Sequence, residues 1–237
     1  MSEIFYWKDQ QLIFENDGLW KDGVLLEKID SGEESTSFHY QDFVLKLYHS
    51  RILKEYLKEW DASKLSKIHT ERFLLPEDGI FRKEGSFGGY SKRWVEKNGE
   101  QILKIKKQNL LEELKLLVCD IDTLSENGVR ISDLRKENYI YNGALYNVDP
   151  GEFFFCLSSN LEYLKQRNLE TFQNSLTPLF FEDYLQTLFL SRNDFLKMYR
   201  RLKYEIKCQE DILTYFEKEQ FYDLEEFIQN KIRSYHL

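Results

Sequence analysis

Three oxygen-bearing side chains, Asp133, Asn138 and Asp149, fall within one short stretch of chain that can gather them. Asn142-Gly143 joins two short strands of alternating apolar residues, and such a step predicts a type I′ hairpin. The hairpin holds Asn138 just before its first strand and Asp149 just after its second, at the same end. Asp133 lies five residues before Asn138, on the loop that follows a long helix. Asp and Asn oxygens are hard donors of the kind Mg²⁺ takes when substrate phosphates complete its shell. The chemistry this spacing suits is phosphoryl transfer.

The elements that must hold these residues follow from periodicity. Apolar positions Leu110, Leu111, Leu114, Leu117, Val118, Ile121 and Leu124 predict a helix from Gln108, stopped by Asn127-Gly128. Upstream, short aromatic and β-branched runs alternate with turns. Gln11–Phe14, Leu19-Trp20, Val24–Ile29, Ser37–Tyr40 and Phe43–Tyr48 read as strands separated by Asn16-Asp17-Gly18, Lys21-Asp22-Gly23 and Gln41-Asp42. A helix from about Ser50 to Ile68 interrupts them, and strands resume at Phe73–Leu75, Gly79–Arg82 and Gly89–Glu96. From Asn160 onward there is one Pro and no Gly, and repeated helical patterns predict two to four helices. The chain therefore divides into a β-rich part, residues 1–97, and a mainly helical part, residues 98–237, which carries the loop and hairpin at 129–151.

Composition narrows the classes. A chain of 237 residues with 42% apolar and 31% charged residues has enough apolar material for an ordinary core, and no apolar run nears the roughly 20 residues that span a bilayer. The amino terminus, MSEIFYWKDQ, lacks a basic-then-apolar secretory pattern, so a cytoplasmic protein is expected. A net charge of −8 disfavours a nucleic-acid partner, and the basic run Lys104, Lys106 and Lys107 reads as a solvated edge. Cys119, Cys156 and Cys208 show no Cys-x-x-Cys spacing and read as reduced, mostly buried thiols. His39, His49, His69 and His236 show no ligand spacing either, so a metal held by His and Cys is not expected.

Asp133-Leu134-Arg135-Lys136-Glu137-Asn138, followed after a hairpin by Asp149-Pro150-Gly151, resembles the protein-kinase-like superfamily. That family's catalytic loop reads Asp-Leu-Lys-Pro-Glu-Asn and its metal motif Asp-Phe-Gly. The strand Phe43–Tyr48 likewise resembles the family's Val-Ala-Ile-Lys strand and places Val44, Lys46 and Tyr48 on one face. The likeness spans roughly Leu25 to Phe155 and implies an α+β, two-lobed protein-kinase-like fold. Its N-terminal lobe would be an antiparallel sheet with one helix, and its C-terminal lobe mainly helical.

The resemblance implies roles residue by residue. Asp133 would accept the proton of an attacking hydroxyl, Arg135 would stand near the transferred phosphate, and Asn138 and Asp149 would hold Mg²⁺. Lys46 would anchor the α- and β-phosphates of ATP, paired with Glu59 or with Glu55 or Asp61. Gly32 and Ser35, with Thr36, would line the nucleotide in place of a loop with three glycines. The implied activity is ATP/Mg²⁺-dependent transfer of the γ-phosphate to a hydroxyl of a protein or small molecule. The alternative is a pseudokinase that binds nucleotide or protein partners. Glu33 and Glu34 in that loop, Ile131-Ser132 where the family has His-Arg, and Pro150 where it has Phe are departures from the pattern.

Overall fold

The computed structural model describes residues 2–49, 59–98, 101–132, 134–149, 153–156, 160–189 and 191–235, with Glu59 and Trp60 described by backbone only. The described residues form two compact units. The first comprises residues 1–70, 74–96 and 150–155, and the second residues 71–73, 97–149 and 156–237.

The first unit is built on an antiparallel sheet. Its strands are β1 (Glu3–Trp7), β2 (Gln10–Glu15), β3 (Gly18–Lys21), β4 (Val24–Leu25), β5 (Glu27–Ser31), β6 (Ser35–Tyr40), β7 (Phe43–Tyr48), β8 (Asp78–Arg82) and β9 (Phe87–Arg93). Their order is β4-β3-β2-β1-β8-β9-β7-β6-β5. The sheet begins earlier than the expected Gln11, because Lys8-Asp9 makes an extra turn. Three successive two-residue turns, Lys8-Asp9, Asn16-Asp17 and Asp22-Gly23, all have positive φ at both positions, between 48° and 79°. Paired positive φ matches the twist of the flanking strands and fixes the register of β1 to β4. In the second turn Gly18 already belongs to β3.

The expected single strand Val24–Ile29 is two strands broken at Leu26. These two strands are the opposite edges of the sheet, so one residue of chain joins its two ends. The sheet must therefore curl back on itself, nearly closing a barrel. Leu26 sits in the interior with Phe5, Trp7, Leu12, Leu19, Phe38, Leu45, Leu47 and Ile80. Burying each such side chain contributes roughly 1.5–3 kcal/mol. The antiparallel sheet expected for this part is present, and its nine strands nearly close on themselves.

One strand contact is unusually close. A Cβ at Gly89 would lie 2.0 Å from the carbonyl oxygen of Lys46 on the neighbouring β7, whereas a Cβ at Gly32 would meet nothing within 4 Å. The register of β8 against β9 slips at the same place, between Ile80 and Phe81, which marks a bulge. The helix expected from Ser50 is described only as α1 (Glu59–Leu65), since residues 50–58 lie outside the described residues.

The second unit is mainly helical. It contains α2 (Lys107–Glu126), α3 (Leu161–Leu188), α4 (Arg192–Lys207), α5 (Ile212–Lys218) and α6 (Leu224–Ser234), so four helices follow Asn160 among the described residues. Asn160, Asp211 and Asp223 cap α3, α5 and α6 through side-chain oxygens. At the centre Phe227 stacks on Phe181 and packs at a tilt against Phe216, with ring centroids 5.6 and 5.3 Å away. Glu205 joins α4 to the last helices. It accepts hydrogen bonds from Lys231 Nζ at 2.5 Å, from Tyr215 Oη at 2.8 Å, and from Tyr235 Oη.

The basic run lies at an exposed edge, as expected, and is tied down there: Lys107 Nζ donates to the carbonyls of Glu217 and Glu219 at 2.8 and 2.6 Å, and Lys104 pairs with Glu225. The expectation of buried thiols is corrected. Cys119 and Cys208 are exposed and Cys156 half-buried, because Cys119 shares the outward face of α2 with Glu112 and Lys115.

Gly89→Ala should destabilise the protein by about 2 kcal/mol or more, since the new methyl must displace the β7 backbone. Gly32→Ala should change stability by less than about 0.5 kcal/mol. Urea unfolding of both variants checks the pair, and equal midpoints would contradict the close approach at Lys46.

Candidate functional site

In the helical unit the loop leaving α2 is fixed by one buried amide. Asn168 of α3 accepts from the Ile131 N–H at 2.9 Å and from Arg130 Nη1 at 2.8 Å. Its Nδ2 donates to Val129 C=O at 2.8 Å and Ser125 Oγ at 2.9 Å. A fully satisfied, fully buried Asn leaves the segment from β10 (Val129–Arg130) to Ile131 one position. Asp133 follows two residues later and lies outside the described residues.

After it, Arg135 is exposed and precedes a 3-10 turn, Lys136–Asn138, closed by Asn138 N–H donating to Arg135 C=O at 3.0 Å. Asn138 is buried, at 7% exposure. The hairpin follows as β11 (Tyr139–Tyr141) and β12 (Leu145–Asn147). Its turn is not type I′. Tyr141 pairs with Leu145, leaving the three residues Asn142, Gly143 and Ala144, and of these Gly143 alone has positive φ, 96°. The longer loop leaves the strand pairing intact: Tyr139 faces Asn147, and Val148 N–H donates to Asn138 C=O at 2.7 Å. That bond sets Asn138 beside the residue preceding Asp149. Asn138 and Asp149 thus both lie at the open end of the hairpin, Asn138 buried and Asp149 half-exposed. Such a donor set suits Mg²⁺, which binds few protein oxygens and keeps the rest of its shell for water and phosphate. Among the described residues no group of three or more His, Cys, Asp or Glu gathers as a metal cage.

Residues that pattern reading missed hold this hairpin. Asp120, on the apolar face of α2 and 5% exposed, accepts the backbone N–H groups of Glu71, Arg72 and Phe73 at 3.0, 2.6 and 3.0 Å. Burial raises the Asp120 pKa, and the three amides oppose that rise. Glu113 takes the Arg72 guanidinium through two bonds, at 2.6 and 3.0 Å, and also accepts from Leu145 N–H at 2.9 Å. Arg72 C=O receives the Asn147 N–H at 2.8 Å, and its guanidinium lies 5.3 Å from the Tyr146 ring centroid. Residues 71–73 are thus a strap that fastens β12 to α2. The strand expected at Phe73–Leu75 is instead one parallel bridge, Phe73 to Asn147. A signal for the strap was present, because Glu113 and Asp120 lie seven residues apart on the same stripe as Leu110, Leu117 and Leu124.

In the β unit, Lys46 is half-exposed on β7, between Ser37 of β6 and Tyr90 of β9. Leu45 and Leu47 face the interior cluster, so Val44, Lys46 and Tyr48 share the other face. Ser35 pairs with Tyr48, which makes Ser35 and Lys46 diagonal neighbours on that face. Ser35 belongs to a strand; the loop itself is Gly32-Glu33-Glu34. Gly32 has no positive φ, so its freedom is not what shapes the loop.

His49 shapes it instead. Its Nδ1 lies 3.0 Å from the Glu33 carbonyl, its backbone N–H donates to Glu34 C=O at 2.8 Å, and its Nε2 is 3.0 Å from Thr36 Oγ1. A carbonyl can only accept, so Nδ1 carries the proton facing Glu33. Ser31 Oγ lies 3.1 Å from Thr36 Oγ1 and shares a hydrogen bond with it. The Glu59 side chain and Glu55 lie outside the described residues, while Asp61 is half-buried in α1.

No family model matches this chain, and no curated protein matches it. Among solved structures it is similar to the Legionella pneumophila Lpg2603 kinase bound to IP6, at 15% identity over 92% of each chain, with a TM-score of 0.44. At that identity and superposition the likeness assigns neither an activity nor a fold. No helix among the described residues is long and apolar enough to cross a membrane.

Asp120→Ala should cost about 3 kcal/mol or more, since it strips three amides of their acceptor. Hydrogen exchange at Glu71–Phe73 should rise with it. Unchanged exchange there would show that the strap does not depend on Asp120.

Proposed function

We propose that this protein is an ATP- and Mg²⁺-dependent phosphotransferase with a protein-kinase-like arrangement, acting on a hydroxyl group. The observation that supports the reading is the bond from Val148 N–H to Asn138 C=O, which brings the backbone of Asn138 to the residue before Asp149, two residue types that are hard donors. Lys46 and Ser35 on one face of the β unit support a nucleotide reading there. When bound, Mg²⁺ would neutralise phosphate charge. Asn138 and Asp149 would hold it, and Lys46 would hold the α- and β-phosphates. The acceptor hydroxyl oxygen bonds to the γ-phosphorus, its proton passes to the Asp133 carboxylate, and the bond from that phosphorus to the β,γ-bridging oxygen breaks. The electron pair leaves with ADP. Arg135 would meet the phosphoryl oxygens.

A second reading, a pseudokinase that binds nucleotide or a protein partner without transfer, draws on the loop Gly32-Glu33-Glu34. Two carboxylates stand there, and no glycine conformation opens the backbone to phosphate.

Phosphate transfer from γ-labelled ATP separates the two readings. Asp149→Asn should lower turnover by about 10²-fold or more, and Asp133→Ala by a similar factor. Lys46→Ala should mainly weaken nucleotide binding. Transfer that survives Asp133→Ala removes the role given to that aspartate. A thermal shift with ATP and Mg²⁺ that Lys46→Ala abolishes, without transfer in the unaltered protein, selects the pseudokinase.

A further inference from the structure

Helix α4 carries six basic residues against two acidic ones, in a chain whose net charge is −8. Its apolar side is committed to the interior, where Met198, Leu202 and Ile206 are fully buried. On the opposite face Lys197, Arg200, Tyr204 and Lys207 follow one another at helical spacing over about 15 Å, flanked by Arg201 and Lys203. All of these are exposed except the half-buried Lys203, and Tyr204 is 72% exposed.

This strip gains little inside the molecule. Of the two carboxylates on the helix, Glu205 is taken by Lys231 Nζ at 2.5 Å and by Tyr215 and Tyr235, and Asp194 lies 3.9 Å from Lys197 Nζ. The Arg201 guanidinium sits 3.9 Å from the Tyr235 ring centroid. Among the described residues Arg200, Lys203 and Lys207 pair with no carboxylate. Like charges three and four residues apart repel and weaken a helix, and here Lys197 meets Arg200 and Arg201, Arg200 meets Lys203, and Lys203 meets Lys207. A solvated helix face ordinarily intersperses opposite signs at those spacings. A face that opposes its own helix and bonds to nothing within the fold is accounted for by an anion outside it.

We infer that the outer face of α4 docks an acidic polypeptide segment of a partner protein. Stable attachment to a membrane takes a second, apolar signal besides a basic patch, and the apolar side of α4 is already buried. A membrane or a nucleic-acid duplex also extends past the strip, toward the rest of a net-acidic molecule. A segment as short as the strip stays within about one Debye length, roughly 8 Å, of its cations. Arginine forks take carboxylates through two bonds, and Arg and Tyr are the side chains on which protein interfaces concentrate binding energy. Arg200, Arg201 and Tyr204 stand together here. Docking of this kind needs no phosphoryl transfer, so it is tested apart from the proposed activity.

Fluorescence anisotropy with the full chain, at about 0.1 M salt, compares a labelled Glu-rich peptide of about twelve residues with its Gln counterpart. The acidic peptide should bind about tenfold more tightly or better, and also more tightly than a short DNA duplex or vesicles with about 30% phosphatidylserine. Arg200→Gln combined with Lys207→Gln should weaken the acidic peptide about tenfold and flatten the salt dependence of its binding. Tyr204→Ala should weaken it about fivefold with the salt dependence unchanged. The melting temperature of the double variant should stay level or rise, because repulsion along the helix falls. No binding of the acidic peptide, equal binding of the Gln peptide, indifference to Arg200 and Lys207, or tighter binding of vesicles or duplex overturns the inference. A lower melting temperature in the double variant also overturns it, since the strip would then serve the fold.

Discussion

A carboxylate on the apolar face of a helix must find donors, and the Asp120 carboxylate finds three in consecutive backbone amides, Glu71 to Phe73. Much of the helical unit's working end follows from that capture. It brings Arg72 to Glu113, whose Oε2 takes both Arg72 Nε and the Leu145 amide, and it brings Arg72 C=O to the Asn147 amide. Strand β12 is thereby fixed against α2 by its first and last residues. The position of Asp149, two residues beyond, inherits that constraint. Asn168 does the corresponding work at the other end, pinning the loop that leads into Asp133. Two buried carboxylates and one buried amide, each with its hydrogen bonds met, give a short loop and a three-residue strand pair a defined geometry that their own length would not.

The β unit reaches rigidity by a different route. Joining the two sheet edges through Leu26 nearly closes the interior around a cluster drawn from six of the nine strands, so the register of those strands is over-determined. Lys46 stands on the outer face of this sheet, and the backbone beneath it is pressed by Gly89 too closely for any side chain. The loop that would face a nucleotide is held by the His49 ring and its amide rather than by glycines. Such a loop is tied down in advance, at the cost of the backbone freedom that a glycine-rich loop would have.

What was legible in the sequence was mostly local. The long α2 stripe, its Asn127-Gly128 stop, the two-residue turns and the helical tail are each written in neighbouring residues, where period and φ preference act directly. The pairing of Asn138 with Val148 was also legible, because a hairpin converts sequence symmetry into proximity. Contacts between distant residues were not. The strap depends on residues more than forty positions apart, and an apolar-stripe reading passes over Glu113 and Asp120 because it scores them as interruptions. The hairpin turn was misjudged because Asn-Gly predicts positive φ at both positions, whereas Asn142 donates its amide to Ala144 C=O and the loop takes a third residue. Near-closure of the sheet was hidden in Leu26, an ordinary residue in an apolar run.

A structure with a non-hydrolysable ATP analogue and Mg²⁺ tests the central claim most directly. The account predicts a metal at about 2.1 Å from Asn138 Oδ1 and from an Asp149 carboxylate oxygen, bridged to the phosphates. Carboxylates of Asp133 and Asp149 more than about 10 Å apart, with the nucleotide bound away from both, would contradict it.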